Sequence, residues 1–157
     1  MTRSIRASFF SLMVLGGASC VATITTIYHD QDKAATRAIS FAKEAFIDLN
    51  QPEAYGFLSE EVRSNLSLDK FIDVIGQMHP RSFPRVVVAT EYEPVPGQKA
   101  MMIWLVGENE GEKFDYQMAM SGTSAGYQVT AVYRVAEKSP SQLRKPLAVR
   151  RSTDDLR

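Results

Sequence analysis

The chain has one cysteine, Cys20, and two histidines, His29 and His79. A single cysteine excludes an intramolecular disulfide and any zinc site built on cysteine pairs. Cys20 sits in an apolar N-terminal run, so the rest of the chain is cysteine-free and tolerates an oxidising compartment. Neither histidine has a second His, or a carboxylate at a ligand spacing, beside it; both read as ordinary loop residues, and no metal site or cofactor is implied. No serine lies in a Gly-x-Ser-x-Gly elbow. Gly107 and Gly111 lack the Gly-Lys-Ser/Thr that completes a phosphate loop. An excess of charge is missing too, with 18 Lys/Arg against 18 Asp/Glu.

That balance hides an uneven distribution. Residues 1–27 carry two Arg and no acid, residues 28–137 carry ten basic against sixteen acidic residues, and residues 138–157 carry six against two. The net-acidic middle argues against nucleic acid, which needs clustered Lys/Arg.

What is present begins with Arg3 and Arg6, followed by an uncharged run from Ala7 to Tyr28. As a helix this run reaches about 33 Å, enough to span a bilayer. It fits an uncleaved anchor. It also fits a signal peptide, with the apolar core Phe9–Leu15 and small residues at Gly17-Ala18-Ser19 or Cys20-Val21-Ala22 for cleavage. A third reading makes Cys20 a lipidated residue. All three keep the arginines cytoplasmic and predict an extracytoplasmic domain, membrane-held or secreted. The divisions are therefore 1–28, anchor or signal peptide; 29–137, folded domain; and 138–157, a basic tail with Pro140 and Pro146 that reads as flexible.

The folded segment opens with a helix. Asp30 or Asp32 can cap it, and Ala35, Ala38, Ile39, Ala42, Ala45, Phe46 and Leu49 recur at three- and four-residue steps, while Lys33, Arg37, Lys43, Glu44 and Asp48 decorate the other side. Asn50 and Pro52 stop it. Short helices follow at Pro52, at Ser59 and after Ser67, the last with the stripe Leu68, Phe71, Ile72 and Ile75. From Pro84 the period becomes two. Four strands, separated by Pro94–Gly97, Gly107–Gly111 and Gly122–Gly126, predict an antiparallel meander covered by the helices, an α+β fold.

This order resembles the NTF2-like superfamily, a cone-shaped α+β fold that includes ketosteroid isomerases. The resemblance covers roughly residues 31–135 and rests on element order, on the helix end Phe46-Ile47-Asp48-Leu49-Asn50, and on the strand Gly126-Tyr127-Gln128-Val129-Thr130-Ala131-Val132-Tyr133. It implies long and short helices on a curved four-stranded sheet. Members include enzymes, small-ligand binders, and periplasmic domains of secretion channels held by one N-terminal membrane helix; the last group matches this layout best.

An isomerase on such a scaffold needs a carboxylate inside the cone. Alternation places Glu91, Glu93 and Asp115 opposite Val86/Val88 and Phe114/Tyr116, on a solvated face. Tyr92, Trp104, Tyr116 and Tyr133 are the candidate ligand-binding residues, lining the cone as an amphipathic pocket or simply packing its core. The leading expectation is a non-catalytic extracytoplasmic interaction or assembly module, with the membrane (through residues 7–28) and a protein or a second copy as partners. The alternatives are a small apolar-ligand binder and an isomerase- or dehydratase-type enzyme.

Overall fold

A computed structural model describes residues 27–136 and 140–156; the apolar run up to residue 26 lies outside the described residues. Among the described residues no helix is long and apolar enough to cross a membrane.

Asp30 opens α1 (Gln31–Ala42) by accepting from the N–H groups of Asp32 and Lys33, donors that the first turn of a helix leaves free. Ala34, Ala35, Ala38 and Ala42 are fully buried, so the helix axis comes close to the sheet and Ile39 and Phe41 fill the space between. The helix widens into a π-helical turn, Lys43–Ile47, which sends Phe46 into the core. Leu49 then turns left-handed, at φ 55°, and ends it. Three shorter helices follow: α2 (Gln51–Gly56) with Pro52 in its first turn, α3 (Glu60–Asn65) and α4 (Leu68–Met78). Ser59 and Ser67 cap the last two through their side-chain oxygens.

The sheet comprises β1 (Val86–Pro94), β2 (Ala100–Asn109), β3 (Glu112–Thr123), β4 (Gly126–Arg134) and β5 (Lys145–Ser152), all antiparallel, in the order β4-β3-β2-β1-β5. It does not close on itself. The β2–β3 turn carries positive φ at Glu110 (48°) and Gly111 (87°), the conformation whose twist suits a tight hairpin.

The fifth strand corrects two expectations, that the sheet has four strands and that residues 138–157 form a flexible tail. Lys145–Ser152 pairs with β1 along its open edge. One apolar side chain, Leu147, reaches the core, and the Val87 N–H donates to the buried Thr153 hydroxyl at 3.1 Å. Arg151 grips Asp32 of α1 with two bonds of 2.8 Å. An edge strand is held by backbone pairing plus a few anchors, so low apolar content and Pro146 do not forbid it.

Register shifts at Thr90 of β1 and Thr130 of β4 insert one extra residue each. Each bulge exchanges the faces of everything beyond it. On the helix-covered face lie Val87, Ala89 and Tyr92 of β1, and Tyr127, Val129 and Val132 of β4; Met101, Ile103, Leu105, Phe114, Tyr116, Met118 and Met120 complete it. Glu91 and Glu93 therefore share the outer face with Val86 and Val88, against the expectation that they oppose them. Without the bulge they would have followed Ala89 into the core.

Candidate functional site

α4 carries Phe71, Ile75 and His79 four residues apart, and the last of these caps its C-terminal end. His79 is only 4% exposed. Its Nδ1 lies 3.0 Å from the Ile75 carbonyl oxygen. A carbonyl only accepts, so Nδ1 carries the proton and Nε2 is the acceptor. The Tyr116 hydroxyl, 2.7 Å away, donates to it. Aromatic rings close around the pair: Phe83 stacks on the imidazole with centroids 4.5 Å apart, and Phe46 lies 4.9 Å from the imidazole and 5.0 Å from the Tyr116 ring. Burial pushes the His79 pKa below its ordinary value; the Ile75 hydrogen bond opposes this, and Arg134 adds to it while Glu112 opposes it. Burial likewise drives the Tyr116 hydroxyl far above the usual tyrosine range. At neutral pH both groups are uncharged, mutually satisfied and out of reach of a solvent-borne substrate.

The cage is closed from the sheet side by Arg134, whose guanidinium covers the Phe114 ring at 4.6 Å and donates to the Met78 carbonyl at 3.0 Å. Glu112 accepts from Arg134 at 3.4 Å and from Ser82 at 2.7 Å. The Ser82 bond is the main reason its pKa is lowered.

The four aromatics proposed from the sequence are not brought together. Tyr116 is fully buried on the covered face, and Tyr92, opposite Ile103, lies half-buried on the same face. Trp104 and Tyr133 sit on the outer face, each paired with Gln117 of β3. Tyr133 is 54% exposed, carried to that side by the bulge at Thr130. Trp104 is buried there by the segment before β5: the Arg144 guanidinium covers its ring at 3.9 Å, and Ser141 donates to Glu93 at 2.7 Å. Sequence reasoning missed His79 by treating it as loop. Its i+4 spacing from Ile75 on an apolar stripe was the available signal.

The concave features lie on the outside of this packed interior. One groove of about 460 Å³ runs between α1 and the start of β4, lined by Asp32, Lys33, Thr36, Arg37, Ser40, Gly126 and Tyr127. Here Arg37 lies over the Phe57 ring at 4.0 Å. Another groove, about 300 Å³, crosses the outer sheet face at Val86, Val88 and Val106. Among the described residues no group of three or more His, Cys, Asp or Glu is placed to hold a metal ion.

These features define an α+β domain whose helices cover one face of an open five-stranded sheet. No family model matches the chain, and neither a curated protein nor a solved structure matches it.

Proposed function

We propose that the chain is a non-catalytic interaction or assembly module with an NTF2-like arrangement, displayed outside a membrane by its N-terminal apolar run. The observation that carries this reading is the filled state of the covered face. Met101, Ile103, Leu105, Tyr116, Met118 and Met120 are all at 0% exposure, so the space where a cone-shaped relative would hold a substrate is occupied by side chains. Glu91, Glu93 and Asp115 lie on the opposite face, and Glu112, the strand carboxylate on the side of Phe114 and Tyr116, is held by Ser82 and Arg134. The polar pair that is there satisfies itself. A ligand cone lined by four aromatics loses its support, because Trp104 and Tyr133 are on the other side.

The test uses the full-length chain in its native membranes. Membrane fractionation with N-terminal sequencing gives the side and the mode of attachment. Native mass spectrometry and photo-crosslinking from surface positions then separate the functions. The expected result is a discrete crosslinked protein adduct that survives Tyr116→Phe. A co-purifying small molecule lost in the same variant, with no protein adduct, would overturn the proposal.

A further inference from the structure

The α1–β4 groove holds a cation with an unmet demand. Arg37 is half-buried, its Nε is sealed from solvent, and that atom has no hydrogen-bond acceptor. A desolvated guanidinium without an acceptor is costly, and most buried polar groups do find partners. Burial accordingly disfavours its charge, and Glu53 favours it only through space. The side chain is nevertheless held firmly. It rests on Phe57, whose ring packs edge-on against Phe41 with centroids 6.5 Å apart, and the Phe57 carbonyl accepts from the Val129 N–H at 3.0 Å.

The acid that lines the groove is committed elsewhere: Asp32 is held two-pronged by Arg151. Lys33 spends one proton on the Ser124 carbonyl at 2.7 Å and has two left. Ser40 donates to the Thr36 carbonyl, so its oxygen remains an acceptor only. The groove thus presents a fixed guanidinium and an ammonium one helical turn apart, with no free carboxylate of its own, inside a net-acidic domain. The sealed Nε is out of a ligand's reach, but the Nη groups beside it are not sealed, and their paired N–H donors match a carboxylate. The groove is open rather than enclosed, which suits a chain segment lying along it.

We infer that this groove receives an acidic peptide segment of a protein partner, with a carboxylate held by Arg37 and assisted by Lys33. The inference rests on the reading of the chain as an interaction module and names the chemistry of its partner. Stacking on Phe57 spares the guanidinium much of the ordering cost of binding.

The test measures fluorescence anisotropy of labelled hexaglutamate with the full-length chain at low salt, with hexaglutamine as the neutral control. The expected result is saturable binding of hexaglutamate alone, weakened by salt. Arg37→Ala should weaken it roughly tenfold to a hundredfold, as loss of charge-assisted bonds does. Arg37→Lys should fall between, Lys33→Ala should cost less, and Arg63→Ala on α3 should change nothing. Unchanged melting of Arg37→Ala shows that the loss is not unfolding. Absence of hexaglutamate binding, insensitivity to Arg37→Ala, or displacement by inorganic phosphate at lower concentration than by succinate overturns the inference; the last result assigns the groove to a phosphate. A photo-crosslinker at Thr36 in native membranes separates the two levels. A protein adduct from other surface positions but not from Thr36 defeats the groove and spares the module; no protein adduct from any position defeats both.

Discussion

His79, at the end of α4, and Arg37, on α1, both have polar atoms drawn out of water, and the chain treats them in opposite ways. His79 has an acceptor for its one proton and a donor for its one lone pair, at 3.0 and 2.7 Å. Three aromatic rings fill what remains around it. Arg37 has a ring beneath it and no acceptor for its buried Nε. The difference is that one is complete within the chain and the other is complete only with something added. Removing parts of the first should damage stability, and removing the second should damage binding.

The largest effect is expected from Tyr116→Ala, which deletes both the hydroxyl and a fully buried ring stacked on Phe46 and Phe114. A loss of about 3–5 kcal/mol is expected from such a cavity, read by urea unfolding. Tyr116→Phe keeps the ring and strips His79 Nε2 of its donor, for a cost of about 1–3 kcal/mol. Adding His79→Phe to that variant replaces both partners with apolar groups and should recover much of the loss. If the double variant is no better than the sum of the singles, the pair is not coupled as described.

The same pair sets an acid limit. Burial holds the folded-state pKa of His79 below its ordinary 6.5. In the unfolded chain the imidazole binds a proton as pH falls through that value, while in the folded chain it resists. The unfolded state then carries more protons, so stability rises with pH across the interval just below 6.5 and levels off above it. The slope contributed reaches at most about 1.4 kcal/mol per pH unit. Comparing unfolding midpoints at pH 7.5 and 5.5 checks this, and the His79→Phe variant should lose that component of the slope. Protonation in place would turn Nε2 into a donor facing the Tyr116 O–H, leaving one proton without an acceptor.

Much of the scaffold was legible because it follows local rules. Asp30, Ser59 and Ser67 act as the caps their side chains suggest, and four strands lie where the period-two segments between Val86 and Arg134 place them. What escaped has a common cause in pairings that only the partner strand can reveal. Thr90 and Thr130 look like ordinary alternating positions, yet each is a bulge residue, and each transfers a Tyr or a pair of Glu to the other side of the sheet. β5 has the composition of a tail because its stabilisation comes from the β1 backbone and from Asp32, residues distant in sequence. His79 and Tyr116 are 37 residues apart, so their bond is set by the docking of α4 on β3. The groove was the least legible feature. Arg37 looked like one more solvent-facing charge on α1, and its isolation depends on where Phe57 and the β3–β4 turn come to rest.

The smallest expected change in stability is the one that sharpens the contrast most. Arg37→Met keeps a long flexible side chain over Phe57 and removes a half-buried charge whose Nε lacks an acceptor. The cation–π contact it gives up is worth about 0.5–1 kcal/mol at a partly exposed site. Relief of the desolvation penalty offsets that loss, as it does when buried ionic groups are exchanged for apolar ones of similar shape. The net shift is expected to stay within about 0.5 kcal/mol of wild type, of either sign, against the 1–3 kcal/mol of Tyr116→Phe. Chemical denaturation of the two variants side by side decides it. A large loss in Arg37→Met would make Arg37 as structural as His79 and would erase the distinction between a polar group the fold has finished with and one it has left open.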